Sequence, residues 1–370
     1  GRGAGWADVS EVEPEGSVRR VMAYDSLTER ERTILQAVIE AYIETAEPAG
    51  SRRLVRRYDL DISAATVRNT MADLETKGFL THPHTSAGRM PTDLAYRYYV
   101  DSLMGRRDVS TKQRARIEKE LTVRPTASEL ESIVQRAARV LGLLTGELGL
   151  SVGPILAEAV LLKLDFVPID SGKALMVLTL GSGVVRTVYV DLPAALPAET
   201  LAAVARLMNE RLAGSTLREI HGTLIERLRD IQVPDASAEA FVNIFVESGP
   251  DMFEWALGEE DIHLGNVSLL ASQPEFHSGA RLKELMELTE QRELLASVLH
   301  GRATAGGSHI TIGAEHGAPE LAGLTIITAT YQLDQVEGVV GVIGPTRMPY
   351  EKVLAVVECT SSLVSNLVTH

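Results

Sequence analysis

Hydrophobic positions in the first hundred residues recur with a helical period and are cut into short blocks by caps and breakers. Thr28-Glu29-Arg30-Glu31 is a capping box, with the Thr hydroxyl and the Glu carboxylate each serving an orphan amide. Ile34, Leu35, Val38, Ile39, Tyr42 and Ile43 then form one apolar stripe. Pro48 and Gly50 end that helix and its turn. Ser51 opens a short helix to Tyr58, Asp59-Leu60-Asp61 makes a turn, and Ser63 caps a third helix. The third buries Val67, Met71 and Leu74 and stops at Gly78. Phe79-Leu80-Thr81 reads as a strand, His82–Thr92 as a constrained polar loop, and Asp93–Met104 as a further helix. Three short helices followed by strand, loop and strand is the pattern of a winged helix-turn-helix.

Beyond this block the period changes. Arg106–Lys119 is a charged link and Glu129–Leu148 an amphipathic helix. From Ala159 apolar residues alternate, with Val160, Leu162, Leu164 and Phe166 on one face. Ala174–Leu180 and Val184–Val190 form a hairpin around Gly181-Ser182-Gly183. Pro193–Pro197 interrupts. Glu199–Leu212, Thr216–Ile231, Ala238–Leu257 and Gly279–Leu299 are mostly helical. His309–Ile312, Leu324–Gln332 and Gly338–Ile343 return to strand, and Pro349–Val368 closes the chain as a helix. Strands, helices, then strands again predict an α+β domain with a helical insertion.

Charge alters this picture in one respect. The chain carries -14 overall, unusual for a nucleic-acid binder. Residues 26–107 hold 12 Lys+Arg against 11 Asp+Glu, so the remainder carries -15 and the N-terminal block escapes the acidity. The lone Cys359 excludes an internal disulfide and a cysteine zinc site, which suits a reducing cytoplasm. No apolar run reaches the ~18–20 residues of a membrane span. Residues 1–25 lack an apolar signal core; they are Gly-rich and acidic and are expected to be a disordered extension, with Met22 a candidate start.

The chemistry concentrates in the same block. Arg52, Arg53, Arg56 and Arg57 lie on the short second helix, whose counterpart in this motif crosses the DNA backbone. The third helix offers Ser63, Ala64, Ala65, Thr66, Arg68 and Asn69 in its first two turns, the end that enters the major groove. Arg reads guanine, Asn reads adenine, and small methyls meet thymine. The loop adds His84, Thr85, Ser86 and Arg89, side chains suited to phosphate or the minor groove. His82 and His84 lack a third ligand nearby, and His309, Glu315 and His316 read as surface loop, so no metal is expected. Gly341, Gly344, Pro345, Thr346 and Arg347 read as close backbone approach, and no cofactor is expected. Phosphate-binding loop, HExxH and GxSxG patterns are all missing, so the chain does not read as an enzyme.

Several segments carry a resemblance. Pro48–Ser51, Ser63–Asn69, Ala72–Gly78 and above all PHTSAGRMPTD (Pro83–Asp93) are similar to the heat-inducible transcription repressor family HrcA. LDFVPID (Leu164–Asp170), QPEF (Gln273–Phe276) and GVVGVIGPTRMPY (Gly338–Tyr350) fit as well, so the likeness runs from about Leu27 to the C-terminus. Ala49 and Ala95 stand where the family usually has Val and Gly, Pro349 where it has Asp, and His82 where Gln is common. The resemblance implies a winged-helix DNA-binding domain at 26–105. It implies a GAF-like α/β domain at 106–195 and 274–370, interrupted by a dimerising insertion at 196–273. It further implies a homodimer on an inverted-repeat operator, CIRCE, before chaperone operons. In the family the chaperonin GroEL keeps the repressor active, and heat stress withdraws it. Leu207, Leu212, Leu217, Ile220, Leu224, Phe241, Ile244 and Phe245 supply candidate interface residues. A repressor with the same DNA module but answering to a metabolite is the alternative.

Overall fold

The computed structural model describes residues 27–83, 88–122, 129–153, 156–181, 183–192, 195–233, 235–257, 262–303, 305–333 and 336–368. The expected extension at 1–25 lies outside them. The fold is mixed α and β, with two compact units.

Among the described residues the first unit comprises 27–106 with two later segments, Ile312–Leu324 and Pro345–Glu351. It contains α1 (Glu29–Thr45), α2 (Ser51–Tyr58), α3 (Ala64–Thr76), a hairpin of β1 (Leu80–Thr81) and β2 (Met90–Pro91), and α4 (Asp93–Tyr98), which runs into a π turn over Tyr99–Leu103. The capping box forms as expected: Thr28 accepts from the Glu31 amide at 3.3 Å, and Glu31 accepts from the Thr28 amide at 2.7 Å. The first helix stops before Pro48, at Ala46, which takes a left-handed conformation. Ile34, Leu35, Val38 and Ile39 pack with Leu54, Val67 and Leu74, all fully buried. Each such side chain contributes roughly 1.5–3 kcal/mol.

Glu31 is also buried, and Lys77 at the end of α3 meets its carboxylate at 2.7 Å. Burial alone raises its pKa, but the bonds from Lys77 and Thr28 outweigh burial and hold it below the ordinary value. A depressed folded-state pKa stabilises above the unfolded value and loses that contribution as pH falls through the folded one. Glu31→Gln is therefore expected to cost about 1–2 kcal/mol at neutral pH. The gap from wild type should close in acid; denaturant melts at pH 7 and pH 3 check both halves, and a pH-independent gap refutes the assignment.

The late segments join this unit through specific bonds. Arg97 forks onto Glu315, Nε at 2.8 Å and Nη2 at 2.5 Å. Asp93 accepts from the Ala314 amide at 3.1 Å, and Gly313 beside it has no room for a Cβ. Arg347 donates to the Ile43 carbonyl at 2.8 Å. Tyr350 packs against Tyr96 and Tyr99, centroids 5.9 and 6.4 Å away. The sequence reading places these segments with the later strands. Long-range ion pairing and aromatic packing put them here.

The second unit holds two sheets. One has the order β7-β3-β10-β9-β8, from β3 (Leu148–Val152), β7 (Ile262–Leu264), β8 (Ser308–Ile312), β9 (Leu324–Leu333) and β10 (Val336–Pro345). Neither β3 nor β7 is anticipated from the sequence. Leu148–Val152 is short, buried throughout and separated from the preceding helix α6 (Glu129–Thr145) by only Gly146 and Glu147, so its period is ambiguous. Gly149 is required there, because a Cβ would strike the Ala138 carbonyl. Gly341 similarly faces the Ile327 carbonyl, in keeping with the close-approach reading. The expected charged link at 106–119 contains a helix, α5 (Thr111–Thr122).

Between β3 and β7 lies a separate core. The antiparallel sheet β4-β5-β6 (Leu161–Pro168, Lys173–Leu180, Val185–Asp191) packs on α7 (Ala198–Leu212), α8 (Leu217–Leu228) and α9 (Ala236–Leu257). The Asn209 side chain pins α7 to β4 by bonding both the amide and the carbonyl of Leu164, at 2.8 and 2.6 Å. Phe166, Phe241 and Phe245 cluster with centroids 5.0–5.5 Å apart. This core is built from residues of 156–253 with Val336 of β10 as its one member from the five-stranded sheet, so the three strands pack chiefly with the helices. Leu212, Leu217, Ile220, Leu224, Phe241 and Phe245, read from sequence as interface candidates, are buried inside it. A register shift between Leu161 and Lys163 moves β4 by one position, burying Leu161 and exposing Leu162 against the expected alternation.

After β7 the chain continues through α10 (Val267–Ala271), α11 (Gly279–Glu290), α12 (Arg292–Ala303) and finally α13 (Tyr350–Val368). One helix was expected over 279–299. Gln291 breaks it by leaving helical geometry, with ψ of 63°. No helix among the described residues is long and apolar enough to cross a membrane.

Candidate nucleic-acid interface

Helix α3 is capped by Ser63, whose Oγ accepts from the Thr66 amide at 3.1 Å and pairs with the Thr66 hydroxyl at 2.9 Å. Both polar side chains at the helix start are thereby committed to local structure. Val67, Thr70, Met71 and Leu74 face the core. Ala65, Arg68, Asn69 and Ala72 stand exposed on the outer face, while Ala64 and Thr66 are half-buried. Arg68 and Asn69 make no ion pair among the described residues, so both heads are available. A helix locked by one face and offering Arg and Asn on the other fits major-groove base edges.

The four arginines of α2 divide into two pairs. Arg53 bonds Glu47 at 2.7 Å and Arg57 bonds Glu44. Arg52 and Arg56, one helical turn apart, point into solvent with no ion-pair partner among the described residues. The i, i+4 spacing causes this split, because residues four apart share a helix face. Two of the four expected phosphate contacts are thus drawn toward the protein's own carboxylates. Glu44 and Glu47 are the residues the sequence reading missed. Their position at the end of α1, just before the arginine helix, is the clue.

Among the described residues the hairpin's strands pair at Leu80↔Pro91 and Thr81↔Met90, and the Thr92 amide donates to the Phe79 carbonyl at 3.0 Å. His84, Thr85 and Ser86 lie outside the described residues. At its base Arg89 does not reach outward. Its Nη2 meets Glu75 of α3 at 2.7 Å, and His82 Nδ1 contacts the other oxygen of the same carboxylate. Arg89 and Ala49 exchange two backbone bonds, of 2.8 and 3.0 Å. Thr92 caps α4 and donates to the Gly78 carbonyl at 2.8 Å, joining the hairpin's end to the end of α3.

The residues read as possible metal ligands are engaged elsewhere. Glu315 holds Arg97, His316 Nε2 bonds the Leu324 carbonyl, and His309 Nε2 bonds the Gly306 carbonyl. No group of His, Cys, Asp and Glu suited to a metal occurs among the described residues.

Comparison with known proteins extends the picture. The family described as "HrcA protein C terminal domain" matches residues 131–354. The heat-inducible transcription repressor HrcA of Chlorobium chlorochromatii is 33% identical over 346 residues, covering 93% of this chain and 98% of that protein. The chain belongs to the HrcA family. The HrcA of Chlorobium phaeobacteroides is 35% identical over 353 residues, with coverage of 93% and 99%. That of Natranaerobius thermophilus reaches 36% over 334 residues. HrcA relatives are named transcription repressors, which makes this a family of regulators and not of enzymes. A crystal structure of a hypothetical protein has a similar fold, with a TM-score of 0.59 at 21% identity over 93% of this chain and 99% of that one.

Proposed function

We propose that the chain is a heat-inducible transcriptional repressor that binds an inverted-repeat operator of the CIRCE type as a homodimer. Residues 27–105 act as a winged helix-turn-helix, with α3 as recognition helix and the β1–β2 hairpin as wing. The five-stranded sheet and its helices form the GAF-like domain, and the core between β3 and β7 forms the dimerising insertion. The observation that carries this reading is the exposed Arg68–Asn69 pair on α3 beside the uncommitted Arg52 and Arg56. Arg68 and Asn69 read bases, and Arg52 and Arg56 hold phosphates. The chaperonin GroEL maintains the active form, and heat stress, by diverting GroEL, releases the operator.

An inverted repeat calls for a two-fold partner. The outer face of the three-stranded sheet supports one. Val167, Leu175 and Tyr189 lie in one row across β4, β5 and β6; the next row on this face holds Asp165, Val177 and Thr187, and the one after it Lys163, Thr179 and Val185. Tyr189 is 74% exposed and Val167 49%, and an exposed apolar row rimmed by polar side chains, among them the Lys163–Asp165 ion pair, is suited to self-association.

The test is a competition assay on the full chain. An inverted-repeat duplex should win over a scrambled one, and more strongly with GroEL present. Tyr189→Asp should convert a dimer into a folded monomer by light scattering and weaken operator binding, because each half-site is then held alone. A wild-type chain indifferent to the repeat refutes the repressor reading. A Y189D chain that stays dimeric moves the interface off this face.

A further inference from the structure

The hairpin is too short to hold itself in place. Two paired positions give little stability alone, so its position relative to α3 is set by contacts from outside. The backbone supplies one: Gly88 presses on the α1–α2 turn so closely that a Cβ would lie 2.5 Å from the Ala49 carbonyl oxygen and 2.7 Å from that of Pro48. Thr92 supplies a second at the hairpin's end, donating to the Gly78 carbonyl at 2.8 Å, and side chains at the base supply a third. Glu75, further along α3 than the exposed stripe, uses both carboxylate oxygens on the hairpin's base, Oε2 for Arg89 and Oε1 for His82. Arg89 and Glu75 are 23% and 24% exposed, and the Arg89 Nε is buried with no hydrogen bond among the described residues. A guanidinium waiting for phosphate would extend into solvent; this one is folded against the protein.

Building on the DNA-binding reading above, we infer that Glu75 is a positioning residue for operator recognition. It latches the base of the wing to the recognition helix through Arg89 and His82, and Arg89 serves as the latch's other half and not as a phosphate contact.

The two roles for Arg89 predict opposite signs. Were Arg89 a phosphate ligand, Glu75 would compete with DNA for it. Neutralising Glu75 would then free a cation, remove a negative charge facing a polyanion, tighten binding and steepen its salt dependence. As a latch, neutralising Glu75 loosens the wing and weakens specific binding.

The experiment measures affinity of the full chain for inverted-repeat and scrambled duplexes at several salt concentrations. It compares wild type, E75Q, R89Q and the double variant E75Q/R89Q, with R68A alongside and thermal unfolding recorded for each. The latch predicts that E75Q and R89Q each bind the operator about tenfold more weakly, as expected for loss of one charge-assisted contact. The double variant should be no worse than the weaker single, since both remove the same interaction. Binding to scrambled duplex and the salt slope should stay near wild type. E75Q binding as tightly as wild type or tighter overturns the latch. So do losses that add in the double variant, or an R89Q salt slope reduced by one phosphate on both duplexes. If E75Q proves unstable at the assay temperature, R89Q against the double variant decides by the same criteria. Failure of the DNA-binding reading looks different: wild type and R68A then treat operator and scrambled duplex alike, which removes the latch with it.

Discussion

Replacing Arg68 with alanine is expected to weaken operator binding roughly 10- to 100-fold while leaving binding to scrambled DNA nearly unchanged. Arg68 lies on the exposed face of α3, next to Asn69 and without an ion-pair partner among the described residues. In the proposed groove position an arginine would fork onto a guanine edge, and one good bidentate pair discriminates by about 1–3 kcal/mol. A phosphate-binding arginine behaves otherwise, since its loss lowers specific and non-specific affinity together and flattens the salt slope by about one unit. Removal of Arg52 or Arg56 should show that second behaviour. Titrations of both duplexes at two salt concentrations separate the cases. Equal losses on both duplexes for R68A would reassign Arg68 to the backbone.

The largest expected effect on stability belongs to Arg97. Its guanidinium and the Glu315 carboxylate are 13% and 15% exposed and joined by two hydrogen bonds. Burial works against the charge on Arg97, but the Glu315 and Asp101 carboxylates outweigh it and raise its pKa above the ordinary value. Arg97→Met leaves the Glu315 charge half-enclosed, still bonded to the Ile312 amide at 3.0 Å but without its cation. Breaking one side of such a pair costs about 3–5 kcal/mol. Replacing both partners, as in R97M with E315L, should restore most of that loss, because no unpaired charge remains. Chemical unfolding of wild type, R97M and the double variant measures the difference. A single-variant loss below about 0.5 kcal/mol, the range of ordinary surface changes, would show that water screens the pair.

Much of the candidate interface is legible in the sequence. The α1 capping box, the Ser63 cap, the Gly78 stop and the inward faces of α1 and α3 all follow from interactions between residues three or four apart. Arg68 and Asn69 were found by the same means: a helix whose core face is known also has a known outer face. What the arginines of α2 touch was not legible. Arg53 and Arg57 turn to Glu47 and Glu44, and Arg89 turns to Glu75, partners that only the packing of three helices and a hairpin selects. The apolar helices of 196–257 misled in the other direction. Periodicity shows that Phe241 and Phe245 are hidden, and cannot show whether their own sheet or a second chain hides them.

The sequence alone therefore determined where helices begin and end, which face of each turns inward, and which N-terminal block is relieved of acidity. These depend on neighbours within a turn or on simple counting. Tertiary structure decided that β3 pairs with β7 across the intervening core, that β4 shifts by one residue, and that Glu315 and Tyr350 pack on the N-terminal helices. Such contacts join positions far apart in the chain, where local spacing carries no information and only the geometry of the folded core chooses between partners.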